Sequence, residues 1–425
     1  MGLENIPDRI YELAEECERE IEPYFRRIDE IALKNQRKVL ASFAKHRVAA
    51  EDLYGTSGYG YGDRGRDKLE DIYADIFGAE CAYVRHSIIS GTHALSLGLF
   101  GLLRPGDTML SVSGKPYDTL DELIGLGDGH GDGTLADFGI SYEQIELVNG
   151  EDFDFAAIEN ALSRLGGKAR VVYVQRSKGY LDRATLSAQK IGNLVAFVKE
   201  RSDAYVVVDN CYGLFTQETE PTHYGADLCI GSLIKNAGGG IARCGGYIVG
   251  TKRAVELVSY RATAPGLGRE CGASLDENKF MFRGLFMAPH TVAQALKTAV
   301  FAAAMFEKMG YGTLPRSSEP RYDIIQMIRL SDAEKLCAFC RGLQSASPVD
   351  SFAEPVPDDM AGYSDKIIMA AGAFVMGSSI ELSADGPLRA PYNVYMQGGL
   401  TYESGKLGIM SAAAEVLKTE NDRKS

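Results

Sequence analysis

The sequence predicts an α/β fold: a mostly parallel, seven-stranded sheet between helices, joined to a smaller α+β C-terminal domain. Three observations predict it. Short β-branched runs recur at 82–86, 108–112, 144–148, 170–175, 205–209, 227–231 and 246–250. Turn signals follow the first six and helical periods follow several, as at 187–201, an alternation that marks parallel strands covered on both faces. Near Pro289 the character changes to a long Ala-rich helix, about 290–308, closed by Gly310 and followed by Pro315 and Pro320.

Taken in order, residues 1–50 read as a helical segment whose start, 1–22, is an acidic amphipathic helix rather than a signal peptide. A Gly- and Tyr-rich loop, 54–65, leads into a helix around 67–77. A large domain is expected over 51–289 and a small one over 290–425, with the boundary along the Ala-rich helix. In the small domain, the Pro- and Asp-rich stretch 347–359 reads as a surface loop, and the charged tail 418–425 as a fraying end.

At 425 residues the chain is too long for one typical core, and 45% apolar residues supply a substantial interior. Forty-five Lys and Arg against 58 Asp and Glu leave a formal charge of −13, which disfavours nucleic acid and anionic membranes. An anionic small ligand stays open, because backbone dipoles can hold a phosphate locally. The longest apolar stretches, near Val195 and Ala299, are broken by Lys or Glu before membrane-spanning length. The eight cysteines are scattered. Only Cys337 and Cys340 form a C-x-x-C pair, in a helical pattern without a second pair, so no metal is expected. Idle thiols fit a reducing cytoplasm.

Three segments carry candidate chemistry. In Asp227-Leu-Cys-Ile-Gly-Ser232-Leu-Ile-Lys235, a Lys closes an apolar strand and three glycines, Gly238 to Gly240, follow. Desolvation there makes an amine nucleophilic, and Gly lets backbone pass close to a ligand. Alone, such a Lys also serves as a lid over a sheet edge or as a substrate cation. Asp209 ends the strand Tyr205-Val-Val-Val-Asp209, in the crevice where α/β proteins bind ligands. It could cap a helix, hold a metal or pair with a protonated pyridine nitrogen. Ser90-Gly91-Thr92-His93 opens a helical stretch and offers hydroxyl and N–H groups to an anion, or an ordinary N-cap. Ser232 could add a second hydroxyl. Phosphate cup, acidic strand end and Lys, each closing a strand of one sheet, are together what pyridoxal phosphate (PLP) requires.

VDNCYG, GSLIKNAGG and SGTHA resemble motifs of the cystathionine γ-synthase/β-lyase branch of fold type I PLP enzymes. More closely, with DGPLRAPYNVYMQGGLTYESGKLGIM, the chain resembles the outlying aluminium-resistance or methionine-γ-lyase-like group, from the Gly/Tyr loop to the last helix. The resemblance implies a fold type I PLP-dependent transferase-like fold. It implies Lys235 as the Schiff-base lysine and Asp209 as the pyridinium partner. The phosphate cup falls on Ser90, Gly91 and Thr92 with Ser232, and Tyr117 looks like the aromatic stacked on the ring. Arg389, between Pro387 and Pro391, looks like a clamp for the substrate carboxylate; a surface salt bridge is the alternative. The implied activity is a carbon–sulfur lyase acting by β- or γ-elimination on a sulfur amino acid, in a homodimer or homotetramer with shared sites. An aminotransferase and a non-catalytic PLP-binding protein are the rivals.

Two departures stand out. The main branch sets an Asn beside the cofactor hydroxyl, where this chain reads Tyr173-Val-Gln-Arg-Ser-Lys178, leaving Arg176, Ser177 and Lys178 as candidates. Its Tyr-x-Arg loop, given by a neighbouring subunit to the phosphate, corresponds to Tyr61 and Arg64 at a different spacing. The loop 54–66 is too polar and flexible to pack as core, yet rich in Tyr and Arg, which interfaces favour. Its Gly60-x-Gly62-x-x-Gly65 matches a dinucleotide fingerprint in form only, since no strand precedes it.

Overall fold

A computed structural model describes residues 3, 6–127, 131–360 and 365–422. The chain divides into two compact units, Lys34–Ala288 and Met1–Leu33 with Pro289–Ser425. Helices α1 (Asp8–Lys45) and α8 (Asn278–Lys308) each continue from one unit into the other. Among the described residues of the segment expected over 1–50, one long helix and a short turn dominate, allotted to both units.

Unit Lys34–Ala288 contains β1 (Cys81–Arg85), β2 (Thr108–Ser111), β3 (Ser141–Gln144), β4 (Ala169–Gln175), β5 (Tyr205–Asp209), β6 (Leu228–Ser232) and β7 (Gly246–Gly250). They form one sheet of order β1-β7-β6-β5-β4-β2-β3, in which β7 alone runs antiparallel to its neighbours. The mostly parallel seven-stranded sheet is therefore as expected. The exception in position is β3, three residues earlier than the apolar run at 144–148 suggested. It is an edge strand paired only to β2, with exposed or half-exposed residues, so no apolar face marks it. The buried Leu147 lies beyond its end.

The helices of this unit are α2 (Arg64–Ile76), α3 (Gly91–Leu102), α4 (Asp121–Ile124), α5 (Phe155–Leu165), α6 (Ala188–Lys199) and α7 (Lys252–Ala262). Leu95, Leu99 and Leu102 of α3 and Val255 and Val258 of α7 share a core with Tyr173, Val207, Ile230 and Ile248 of the sheet. Each such side chain contributes about 1.5–3 kcal/mol on burial. Gly98 sets how closely α3 approaches: a Cβ there would lie 2.4 Å from Ile230 Cδ1. Close approach brings the start of α3 to the carboxyl ends of β5 and β6, where a Cβ on Gly91 would lie 2.8 Å from Cys211 Sγ and 3.6 Å from Ser232 Cβ.

The other unit contains β8 (Gly312–Leu314), β9 (Ile325–Arg329), α9 (Ala333–Ser345), β10 (Ile367–Ala370), β11 (Ser383–Pro387), β12 (Asn393–Gln397) and α10 (Tyr402–Asp422). Its five strands form an antiparallel sheet of order β10-β11-β12-β9-β8. Helix α8 begins at Asn278 and runs through Pro289, so the proline interrupts one hydrogen bond without ending the helix. Helix α10 includes 418–422, and 423–425 lie outside the described residues. Among the described residues no helix is long and apolar enough to cross a membrane, and no cluster of His, Cys, Asp and Glu could hold a metal ion.

Candidate active site

The carboxyl ends of β4, β5 and β6 lie side by side, with Gln175 in register with Asp209 and Asp209 with Ile230. The start of α3 completes the group. Ser90 is its N-cap, and Ser90 Oγ accepts from the His93 N–H at 3.0 Å. Accepting that bond leaves the Ser90 O–H able to donate, so α3 offers an anion this hydroxyl and the first-turn N–H groups of Gly91 and Thr92. The Thr92 hydroxyl bonds that of Thr119 at 3.0 Å.

Asp209 is 9% exposed. Its Oδ1 accepts from the Cys211 N–H at 3.1 Å, and its Oδ2 lies 3.5 Å from the Tyr173 hydroxyl. Burial raises its pKa, while bonds from Cys211 and Tyr173 and the charge of Lys235 pull the other way. Burial also pushes the Cys211 thiol and the Tyr173 phenol well up, so both keep their protons. No ion pair to Lys or Arg is formed by Asp209 among the described residues. A buried carboxylate of this kind fits a ligand bearing a cationic N–H.

Lys235 follows β6 and is half-buried. Its Nζ donates to the Tyr212 hydroxyl at 2.7 Å and sits 4.5 Å from that ring's centroid. Ser232 is buried, and its Oγ accepts from the Ile234 N–H at 3.3 Å. The glycines after Lys235 are required by close backbone approach, since a Cβ on Gly238 would lie 1.7 Å from the Leu233 carbonyl oxygen.

Tyr117 is tied to β4 by its backbone, whose N–H donates to Gln175 Oε1 at 2.5 Å. Its ring lies 5.8 Å from that of Tyr180. Gln175 also donates from Nε2 to the Ser177 carbonyl at 3.0 Å, so one strand-end amide arranges this rim. Of the candidates for the Asn position, Arg176 is fully committed elsewhere. It is buried, pairs with Glu220 at 3.0 Å, and donates to Asn210, Gln217 and the Leu186 carbonyl. Lys178 is buried as well.

The structure thus brings together Lys235, Asp209, Ser232, Gly91 and, behind it, Thr92. Tyr61 and Arg64 have other partners. Tyr61 is 62% exposed, stacks on Tyr59 at 5.6 Å and hydrogen-bonds Cys271; Arg64 pairs with Asp52 at 3.5 Å. Their loop is pinned rather than loose. Asp63 accepts from Arg66 N, Thr56 Oγ1, Ser274 and Asn278 Nδ2, and these bonds outweigh burial and hold its carboxyl well below the usual range. A short 3₁₀ turn, Ala50–Leu53, precedes the loop in place of a strand, which a dinucleotide fingerprint requires. In the other unit Arg389 forms a half-exposed ion pair with Asp365 at 2.6 Å. A cavity of about 380 Å³ beside α2 and α7 includes none of the residues gathered around Lys235. Its Glu70 pairs with Arg269 at 2.9 Å and also with the buried Arg85.

Sequence reasoning missed Gln175, Cys211 and Tyr212. The signal was the turn directly after Asp209, whose residues share its position above the sheet.

A family model described as methionine gamma-lyase matches residues 10–417. The uncharacterized protein YnbB of Bacillus subtilis (strain 168) is 48% identical over 408 residues, 96% of each chain. The crystal structure of a carbon-sulfur lyase involved in aluminum resistance from Clostridium novyi NT is similar at a TM-score of 0.93 and 46% identity, covering 96% of both chains. A pyridoxal-5'-phosphate dependent protein, YhfS from Escherichia coli, matches at a TM-score of 0.61 and 16% identity, over 91% of this chain and 96% of that one. That likeness concerns the fold alone, which is fold type I.

Proposed function

The chain belongs to the methionine γ-lyase family, and from that premise we propose that it is a PLP-dependent lyase cleaving the carbon–sulfur bond of a sulfur amino acid. The reaction is a β- or γ-elimination that releases a keto acid, ammonia and a thiol. The kinship with a carbon-sulfur lyase at 46% identity supports the reaction class. The observation that carries the proposal is the grouping of Lys235, the buried Asp209 and the start of α3 at neighbouring strand ends.

The residues present fit the cofactor. Gly91 lets the start of α3 pack against Cys211 beside Ser232, and Asp209 offers a buried carboxylate that among the described residues has no cationic side-chain partner at ion-pair distance. In this reading the N–H groups of Gly91 and Thr92 and the Ser232 hydroxyl hold the phosphate. Asp209 holds the ring nitrogen, Tyr117 covers the ring face, and Lys235 is the covalent anchor. When bound, the cofactor supplies an electron sink for charge that develops at the substrate Cα. The chain supplies the rest. The Lys235 amine takes the α-proton and can deliver a proton to the departing thiolate. Tyr173 and Cys211, both protonated, donate to Asp209 and keep its charge in place. Tyr117 excludes water from one face.

In the same reading, Tyr61 and Arg64 serve a neighbouring protomer's phosphate, as a homodimer or homotetramer with shared sites requires. The experiment is incubation of cofactor-loaded protein with cysteine, cystathionine and methionine, following all three products. Equal yields of keto acid, ammonia and thiol from at least one substrate are expected. Amino-group transfer to an added keto acid without thiol release would establish an aminotransferase instead, and no turnover at all a binding protein.

A further inference from the structure

We infer that Tyr212 is the positioning residue for the Lys235 amine and the group that faces the cofactor's ring hydroxyl. The inference rests on the reading that the chain binds PLP, and it is independent of which substrate is cleaved. Its first ground is the 2.7 Å bond from Lys235 Nζ to the Tyr212 hydroxyl, with the amine 4.5 Å from the ring centroid. Both the hydroxyl and the face of one side chain therefore fix the amine.

The second ground is how this pair is held. Asn236, fully buried and next to Lys235, donates from Nδ2 to the Tyr212 carbonyl at 3.0 Å and the Leu214 carbonyl at 2.9 Å. One side chain thus locks the turn carrying Tyr212 to the segment carrying Lys235. The same turn begins with Asp209, so a single short stretch presents the carboxylate and the phenol together.

The third ground is chemical. PLP carries its ring hydroxyl on the carbon next to the one bearing its aldehyde. A nitrogen joined at the aldehyde carbon and the ring oxygen are therefore close neighbours, and a phenol that bonds Nζ is within reach of that oxygen. Two of the other groups nearby are engaged. Arg176 is the counterion of Glu220, and the Gln175 amide spans the Tyr117 N–H and the Ser177 carbonyl.

The role has a spectroscopic consequence. In the lysine-linked enzyme the ring oxygen accepts an internal hydrogen bond while the linking nitrogen is protonated. Once that proton leaves, the oxygen bears its charge without that bond, and a phenol donating to it matters most. Tyr212 therefore lowers the pH at which the link loses its proton.

The test is a pH titration of the visible absorbance of resting, cofactor-loaded protein without substrate. Tyr212→Phe keeps the ring and removes the hydroxyl, and its midpoint is expected to rise by about one unit or more, equivalent to about 1.4 kcal/mol. Tyr212→His, which restores a donor, should return towards wild type. A Tyr212→Phe midpoint equal to wild type overturns the inference. If the Phe variant does not hold the cofactor, a His variant that holds it with the wild-type midpoint sustains the inference; a displaced midpoint, or no binding, overturns it. Absence of any visible band in wild-type protein saturated with PLP would overturn the cofactor reading and this one together. A normal band with no carbon–sulfur cleavage would overturn only the proposed reaction.

Discussion

Replacing Asp209 by Asn removes one charge and preserves shape, and the consequences have opposite signs with and without cofactor. In the cofactor-free protein the carboxylate is buried and its pKa is raised by that burial. A carboxyl whose folded-state pKa is raised binds its proton more tightly folded than unfolded. Its stabilising contribution is fully present below the unfolded value of about 3.9 and is lost as pH rises through the folded value. Above the unfolded value, burial of the carboxyl therefore costs stability, and Asn relieves that cost while still accepting from the Cys211 N–H. The cofactor-free variant should melt at the same or a higher temperature than wild type at about pH 7, with the advantage vanishing towards pH 4. With PLP the carboxylate gains a cationic partner. A hydrogen bond to a charged group is worth about 1.5–3 kcal/mol, so cofactor affinity should fall by about 10- to 150-fold. Elimination should fall by at least about a hundredfold, because the same charge acts on the transition state. Thermal melts with and without PLP, equilibrium dialysis and a keto-acid assay read the three quantities. A variant that is less stable without cofactor, yet binds PLP and turns over within a few-fold of wild type, would refute the reasoning.

Three further experiments test the rest of the site. Borohydride should fix PLP to a peptide containing Lys235, and Lys235→Ala should still bind PLP weakly but lose turnover; labelling of another lysine in cofactor-saturated protein sinks the assignment. Gly91→Ala places a Cβ 2.8 Å from Cys211 Sγ. Overpacking of about 1–3 kcal/mol should weaken PLP binding measurably, and adding Cys211→Ala should recover part of it; unchanged affinity in the single variant argues against a cofactor cradle there. Inactive Lys235→Ala and Arg64→Ala chains, refolded together, should regain activity if Arg64 serves a neighbour. A dead mixture containing demonstrated mixed oligomers, or an active monomer, excludes a shared site.

The sheet was legible because its inner strands are short apolar runs ending at turns, and β5 and β7 lie where those runs are. Strand β3 was displaced because an edge strand half-exposed on both faces carries no apolar pattern. Helix α8 was read from its Ala-rich half alone, since Pro289 looks locally like a stop. The helix passes through it because Ala288 and Val292 on either side are buried. Residues 1–33 read locally as a separate segment, and no local pattern marks them as part of the C-terminal unit.

Within the site, Lys235, Asp209 and Ser232 were legible for a single reason: in a parallel sheet the carboxyl end of a strand is also the ligand crevice, so position along the chain fixes position in space. Roles set by distant partners were not legible in this way. Arg176 looked available beside the cofactor, but its guanidinium is held by Glu220, 44 residues further on. The loop at 54–66 looked loose, but Asp63 ties it to Ser274, 211 residues away. The Ser90 hydroxyl caps α3 by accepting from the His93 N–H at 3.0 Å, a bond that leaves its own O–H able to donate to an anion. Tyr212 lies between these cases. Its place in the turn after Asp209 was visible, but its meeting with Lys235 depends on Asn236 clamping that turn, a contact spanning 24 residues. Local sequence therefore located the residues that gather at these strand ends, while the geometry around them came from long-range hydrogen bonds.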